Sequence, residues 1–219
     1  MKEIDAVLDE ADLRNPHVRE YVKEWAKITQ PDRVEVVDES DDDRLLQESL
    51  DEGEILPVKG GLYFSRSYWK DTARSEERTV VATSSPEEKG VYNNWRDAQE
   101  TVDIQVERMT GASKGKTMYV IPYLMSPKGC PLEKYAVGVQ LTDSRTVAHH
   151  MIRMSRVGVK YVENLDEPDH FVRAVHVTGD LENLGQGTEN DQRLFATVAD
   201  RRTILHFGSS YGGNALLGK

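Results

Sequence analysis

Residues 194–219 read LFATVADRRTILHFGSSYGGNALLGK, and this stretch carries the clearest local signals of the chain. Apolar and β-branched residues predict two short strands, Leu194–Val198 and Thr203–Phe207. The polar segment Ala199–Arg202 between them is typical of a hairpin connection. Because the second strand runs directly into residues that favour turns, we expect it to deliver a tight glycine loop.

The adjacent glycines Gly212 and Gly213 lie at the centre of this loop. Glycine adopts positive φ angles without steric cost, so two such residues can turn successive backbone N–H groups toward one point. A concave arrangement of this kind binds anions, and Lys219 supplies a positive charge shortly beyond it. A plain tight turn beside a packing interface is the alternative interpretation of an isolated Gly-Gly pair.

Strand patterns and helix patterns alternate along the rest of the chain. Apolar or β-branched runs predict strands at Leu62–Phe64, Thr79–Thr83, Thr117–Ile121 and Tyr135–Leu141. Helices are expected to begin at Asn15 with Pro16 in the first turn, at Ser40, at Asn94, and at Asp143 or Ser144. Strands interspersed with helices, with at least one hairpin, indicate an α/β fold with a mixed β-sheet flanked by helices.

Composition narrows the classes of protein to which the chain can belong. The 219 residues are 38% hydrophobic and carry a formal net charge of −10, with the excess of acids in the first 60 residues. No basic stripe favours nucleic-acid binding, and no apolar run reaches the length of a membrane span. The acidic N-terminus does not resemble a signal peptide, and the single cysteine, Cys130, permits no internal disulfide. A cytoplasmic location is therefore expected.

Three features resemble functional motifs but are better explained as structure. The acidic run Glu39–Asp43 lacks the glycine and closing glutamate of a calcium loop, so it predicts the start of a helix. Gly111–Thr117 has three residues between its first two glycines where a phosphate loop needs four, and it leads into a predicted strand. Four histidines have spacings unsuited to metal ligation and are interpreted as ordinary helix or boundary residues: His149, His150, His170 and His176.

Several segments, in order along the chain, resemble GTP-dependent phosphoenolpyruvate carboxykinase. The run FGSSYGGNALLGK is similar to the active-site loop of that family. KTMYVIPYLMSP resembles its GRTMYVIPxxMGP segment, with Lys116 in place of the arginine and Ser126 in place of the glycine. Other matches are Ala73–Thr79, Asn93–Trp95, Val139–Ser144, Met151–Gly158 and Asp200–Arg202. The resemblance extends from residue 17 to residue 219, and this number of ordered matches is far more specific than any one of them.

The resemblance implies a fold and a reaction. Residues 1–219 would form a single domain, the N-terminal substrate-binding domain of the carboxykinase fold, without the C-terminal nucleotide- and metal-binding domain. The complete enzyme, a gluconeogenic lyase, interconverts oxaloacetate and GTP with phosphoenolpyruvate, CO2 and GDP. Its cofactors would be Mn2+ and GTP, both held mainly by the C-terminal part.

The resemblance also implies which residues act. Arg74 would pair with the carboxylate or phosphate of oxaloacetate or phosphoenolpyruvate, while Tyr211, Gly212 and Gly213 would line the same seat. Lys219 matches the first of two lysines in the family loop, which lies near the reacting carboxyl group. The second lysine, a manganese ligand, would be the residue after Lys219. No metal ligand is therefore expected within this chain.

Two hypotheses remain at this point. The first is that the chain is the N-terminal part of a carboxykinase, inactive on its own because metal and nucleotide are held elsewhere. The second is a stand-alone, non-catalytic anion-binding module with the same fold. Because the sequence ends inside the loop, the first hypothesis is favoured. The intact mass of the native gene product, compared with the 24.8 kDa of this chain, distinguishes the two.

Overall fold

A computed structural model describes residues 2–64, 76–91, 94–168, 170–179 and 192–209. The helices in these ranges are α1 (Lys2–Glu10), α2 (Pro16–Thr29), α3 (Asp42–Asp51), α4 (Ala98–Met109), α5 (Glu133–Ala136) and α6 (Arg145–Met154). The strands are β1 (Arg33–Val36), β2 (Leu56–Val58), β3 (Leu62–Phe64), β4 (Thr79–Thr83), β5 (Trp95–Asp97), β6 (Thr117–Leu124), β7 (Val137–Thr142), β8 (Arg156–Val157), β9 (Val172–Val177), β10 (Leu194–Val198) and β11 (Thr203–Phe207). None of the helices in the described ranges combines the length and apolar character needed to cross a membrane.

The strands form one large mixed sheet, as predicted. Its order is β1-β6-β7-β9-β11-β10-β4-β5, with β8 beside β6, while β2 and β3 form a separate hairpin. Strands β7, β9 and β11 are neighbours and run parallel, whereas β6 is antiparallel to β7 and β10 is antiparallel to β11. The carboxyl ends of β7, β9 and β11 therefore meet at one edge of the sheet, together with the amino end of β6.

Helices cover both faces of this sheet, because the central strands alternate their apolar side chains between two cores. In β6, Met118 and Val120 face a core that also contains buried residues of α1, α2 and α4. Their neighbours Tyr119 and Ile121 face a second core, to which α3 and α6 contribute. A strand with apolar residues on both faces is typical of a sheet buried between two layers of helices.

Helix α2 begins as the sequence predicts. The Asn15 side chain accepts hydrogen bonds from the backbone N–H groups of His17 and Val18, and Pro16 occupies the first helical position. Tyr21 lies on the buried face and donates its hydroxyl to the carbonyl oxygen of Ala174 in β9, at 2.9 Å. The helix is therefore fixed to the sheet by a buried hydrogen bond as well as by apolar packing.

Three predicted starts of helices or strands are wrong. Trp95–Asp97 pairs with β4, so α4 is capped by Asp97, whose side chain accepts from the N–H of Glu100, and not by Asn94. The helix predicted to begin at Ser40 is preceded by a short helical turn, Glu39–Asp41, whose capping box joins Asp38 to Asp41, and α3 itself begins at Asp42. The predicted strand at Tyr135–Leu141 begins only at Val137, because a helical turn precedes it. Helices α1 and α5 and strands β1, β2, β5, β8 and β9 were not predicted.

Gly138 on β7 is required by the space available to it. A Cβ atom built at this position would overlap the ring and hydroxyl of Tyr123, which is paired with Gly138 across β6 and β7 and is buried. We expect Gly138→Ala to lower the free energy of unfolding by about 1–3 kcal/mol, the usual cost of overpacking a core. Urea denaturation measures this change. If the clash is the cause, Tyr123→Leu in the same chain restores part of the loss, and an unchanged unfolding midpoint for Gly138→Ala would contradict the expectation.

Candidate functional site

The site residues predicted from the sequence all lie outside the described residues. Arg74 belongs to the range 65–75, and Tyr211, Gly212, Gly213 and Lys219 belong to 210–219. Their roles therefore stay predictions. The structure does describe the residues from which the 210–219 segment departs, because β11 ends at Phe207 and the chain continues through Gly208 and the buried Ser209.

A buried hydrogen-bonded chain holds Ser209 at the carboxyl edge of the sheet. Nδ1 of His176, on β9, lies 2.7 Å from Oγ1 of Thr142, the last residue of β7. Nε2 of the same ring lies 2.5 Å from the carbonyl oxygen of Ser209. All three residues are at most 1% exposed. The carboxyl ends of three parallel strands are thus tied together immediately before the 210–219 segment.

The acceptors in this chain define the tautomer of His176. A carbonyl oxygen can only accept, so Nε2 carries the hydrogen that is donated to Ser209. Oγ1 of Thr142 accepts from the backbone N–H of Ser144 at 3.1 Å and forms a further hydrogen bond with Nδ1 of His176. The result is a continuous hydrogen-bonded relay from the start of α6, through β7 and β9, to Ser209.

A second polar cluster lies at the same edge and is centred on Lys116. Its ammonium group is within hydrogen-bond distance of Oδ2 of Asp143 at 3.2 Å, Oγ1 of Thr178 at 2.8 Å and the carbonyl oxygen of Gly179 at 2.8 Å. An ammonium group has three hydrogens, so these three acceptors account for all of them. Lys116 is therefore a structural clamp and has no hydrogen left to donate to a substrate.

Asp143 joins the clamp to the end of β9. Its side chain is 1% exposed, and besides Lys116 it accepts from the N–H of Thr178 at 2.8 Å and from the hydroxyl of Ser113 at 3.2 Å. A buried carboxylate is tolerated when it is paired and hydrogen-bonded in this way. The cluster fixes Thr178 and Gly179, from which the chain continues into residues 180–191.

The two clusters cross-link the carboxyl edge of the sheet. Two segments of the chain continue from this edge, one after Gly179 and one after Ser209. In open α/β sheets, ligands bind beyond the carboxyl ends of the strands, where loops from neighbouring strands approach each other. The polar side chains of these two clusters hydrogen-bond to one another and to the backbone. Their contribution is therefore to hold the backbone in place. The edge is suited to position a glycine loop at a fixed distance from the sheet.

Sequence reasoning missed His176 and misjudged its setting. It was interpreted as a helix or boundary residue, but it lies inside β9 and is 1% exposed. A sequence signal was present, because VHV is a strand-like run that ends two residues before Gly179. The partner residues Thr142 and Ser209 lie 34 and 33 positions away, so nothing in the local sequence identifies the relay.

Among the residues that the structure describes, no group of three or more histidine, cysteine, aspartate or glutamate side chains is arranged to hold a metal ion. His149 and His150 lie next to each other on α6, as expected. Burial lowers the pKa of His149 below its usual value, and Asp42 lies 3.0 Å from its Nε2. This pair belongs to the interface between α3 and α6 and not to the carboxyl edge of the sheet.

Comparison with known proteins gives a consistent result. A family model described as "Phosphoenolpyruvate carboxykinase N-terminal domain" matches residues 20–219. The chain is 35% identical over 211 residues to "Phosphoenolpyruvate carboxykinase [GTP]" of Anaeromyxobacter dehalogenans, covering 94% of this chain and 34% of the relative. It is 36% identical over 224 residues to the human mitochondrial "Phosphoenolpyruvate carboxykinase [GTP]", covering 92% of this chain and 34% of the relative.

A third relative, from Corynebacterium glutamicum and with the same GTP-specific name, is 32% identical over 220 residues. There the match covers 96% of this chain and 36% of the relative. The chain thus spans about a third of the length of the curated relatives it matches.

Proposed function

Because the chain belongs to the family of the phosphoenolpyruvate carboxykinase N-terminal domain, we propose that it supplies the substrate seat of a GTP-dependent phosphoenolpyruvate carboxykinase. The complete enzyme would convert oxaloacetate and GTP into phosphoenolpyruvate, CO2 and GDP, a gluconeogenic reaction. The partners of this chain would be oxaloacetate or phosphoenolpyruvate and the C-terminal domain of the same enzyme. The names of the relatives support GTP as the phosphoryl donor.

One structural observation carries the proposal. The relay from Thr142 through His176 fixes Ser209, the residue immediately before the glycine-rich segment, at the carboxyl edge of a mixed sheet. This edge is where α/β proteins bind small anions on backbone N–H groups and loop side chains. Ser209, from which the glycine-rich segment continues, thus lies at the edge where a seat for a small dianion would be expected, and this supports the proposal.

The proposed roles follow from the chemistry of each side chain. The planar guanidinium of Arg74 can bind a carboxylate or phosphate through two parallel hydrogen bonds. Gly212 and Gly213 allow the backbone to approach the same anion closely, and the Tyr211 hydroxyl or ring edge would complete the seat. Lys219 would place a positive charge beside the carboxyl group that leaves as CO2, where it stabilises negative charge during the reaction.

A divalent metal, Mn2+ in this proposal, would supply Lewis-acid stabilisation of the enolate. The described residues do not fit this role, since they form no cluster of metal ligands. We therefore place the metal with residues outside the described part and assign no step to it here. The nucleotide phosphates would likewise be bound mainly by the C-terminal domain.

Substrate binding tests the proposal through Arg74. We expect Arg74→Ala to weaken the binding of oxalate, a small dianion that resembles the enolate of pyruvate, by about tenfold or more, since a charge-assisted pair contributes on the order of 1.5–3 kcal/mol. Isothermal titration of the 219-residue chain with oxalate and with phosphoenolpyruvate measures this. The matched control is Arg14→Ala, which removes an exposed arginine that is paired only with Asp12.

The outcomes of these titrations have different meanings. A loss of affinity in Arg74→Ala but not in Arg14→Ala supports the seat. Equal affinity in both variants would show that Arg74 does not bind the anion. Gly212→Pro tests the glycine loop separately. If this variant binds oxalate and phosphoenolpyruvate as tightly as the unchanged chain does, the anion lies away from the loop, and the result counts against the proposed function.

A further inference from the structure

A second concave site lies at the other end of the same strands. It is a groove of about 430 Å³ between α2, α4 and the turn that joins β10 to β11. Arg173 near the start of β9 and Thr203 at the start of β11 line it, so it opens at the edge opposite to Ser209. Its volume is within the range of small-molecule sites, about 300–1,000 Å³. No part of the proposed carboxykinase reaction uses it.

The floor of the groove is apolar. Trp25 from α2, Val102 from α4 and Leu205 from β11 form it, and Trp25 and Leu205 are buried. Tyr21 lies beside Trp25, and its hydroxyl is committed to the carbonyl oxygen of Ala174. This floor can receive an apolar group from a ligand without rearrangement.

One wall of the groove carries positive charge. Arg173 donates to the carbonyl oxygens of Arg201, at 3.4 Å, and of Pro168, and its guanidinium lies 5.1 Å from the centre of the Phe171 ring. Arg201 donates to the side-chain oxygen of Gln99, at 2.5 Å. Neither guanidinium has a carboxylate within ion-pair distance in the described part of the chain, so their hydrogen bonds hold the charges in place without neutralising them.

The opposite wall carries negative charge. Glu20 and Glu24 are one turn apart on α2, and neither forms an ion pair with another described residue. Asp200 also lines the groove, but its carboxylate accepts from the N–H and hydroxyl of Ser84. Arg202 also lines the groove, but its guanidinium donates to the carbonyl oxygen of Lys134, at 3.4 Å. Glu20, Glu24, Arg173 and Arg201 therefore line one groove without an ion pair to another described residue.

Both walls border the same floor, since Tyr21, Glu24 and Arg173 all line the groove. Burial raises the pKa of the Tyr21 hydroxyl well above its usual value. Exposed charged side chains usually interact with water and contribute little to stability. Here the opposite charges border a concave apolar floor, and a ligand with both signs of charge would satisfy both walls at once.

We propose that this groove binds an α-amino acid with an apolar side chain. The carboxylate of the ligand pairs with Arg173 and Arg201, its ammonium group pairs with Glu20 and Glu24, and its side chain lies on Trp25 and Val102. An anion alone would leave the glutamates unmatched and be repelled by them. A cation alone would leave the arginines unmatched, so the zwitterion is the chemical class that fits.

Ligand-observed NMR and isothermal titration of the 219-residue chain test this with three matched probes. L-leucine carries both charges, 4-methylpentanoate lacks the ammonium group, and 3-methylbutylamine lacks the carboxylate. We expect L-leucine to bind at least tenfold more tightly than either analogue. Equal binding of the acid would overturn the proposal in favour of a simple anion site, and equal binding of the amine would overturn it in favour of a cation site. No binding of L-leucine or L-phenylalanine would also overturn it.

Variants of the two walls locate the binding. Arg173→Gln and Glu24→Gln are each expected to weaken L-leucine binding about tenfold. Their controls are Arg33→Gln and Glu39→Gln, which remove exposed charges paired elsewhere, with Glu35 and Lys160. If Arg173→Gln fails to fold, Glu24→Gln on the exposed side of α2 still tests the site. Affinities equal to those of the controls would contradict the assignment, and because no activity is measured, the result is independent of the proposed function.

Discussion

Lys116→Met is expected to lower the free energy of unfolding by about 3 kcal/mol, because it leaves the carboxylate of Asp143 buried without its cation. Asp143 is 1% exposed, and the remaining donors are the Ser113 hydroxyl and the N–H of Thr178. The substitution also removes the donor to Thr178 and to the carbonyl oxygen of Gly179. Chemical denaturation monitored by circular dichroism measures the loss.

Lys116→Arg is the matched control. It keeps the positive charge, and arginine occupies this position in the carboxykinase motif that the segment resembles. We expect it to retain most of the stability, although the planar guanidinium must reach acceptors that now surround an ammonium group. Double replacement of Lys116 by Met and Asp143 by Asn removes both charges and keeps a side-chain oxygen that can accept from the N–H of Thr178, so it should recover much of the loss. A stable Lys116→Met chain would show that Asp143 does not depend on this pair.

Much of the fold could be predicted from the sequence, because it depends on local patterns. The cap at Asn15 and the hairpin of β10 and β11 follow from signals within a few residues and are confirmed. The start of α4 was wrong because Trp95–Asp97 pairs with β4, a contact that the helix-like spacing of apolar residues could not reveal. Local sequence patterns thus predict most of the helices and strands discussed here, while strand pairing, as at Trp95–Asp97, can change the residue at which one begins.

The candidate site was predictable only in part, and for a related physical reason. Motif resemblance predicts roles for Arg74 and the glycine loop, since those roles depend on residue type within a short segment, and these roles stay predictions. The polar clusters at the carboxyl edge of the sheet could not be found in the same way. Lys116 and Asp143 are 27 positions apart, and Lys116 and Gly179 are 63 apart, so only the folded sheet brings them together. Neither residue type is unusual where it stands.

The relay through His176 leads to the second large effect. We expect His176→Ala to lower the free energy of unfolding by about 3–5 kcal/mol, because it creates a cavity and leaves the Thr142 hydroxyl and the Ser209 carbonyl oxygen without this buried partner. His170→Ala, at an exposed histidine before β9, is the control and should change stability by less than about 0.5 kcal/mol. Thermal and urea denaturation measure both.

Stability alone does not show that His176 positions the loop, so the second readout is oxalate affinity at a temperature where the variants remain folded. His176→Gln retains an amide N–H that can donate to Ser209 and an oxygen that can accept from Thr142, so it should preserve more affinity than His176→Ala. If His176 only fills the core, the folded variants will bind oxalate equally well, whether or not residue 176 can donate a hydrogen bond to Ser209. If it positions the loop, loss of that one hydrogen bond reduces oxalate binding even in a folded chain, because the first residue of the proposed seat in this segment, Tyr211, lies two positions after Ser209.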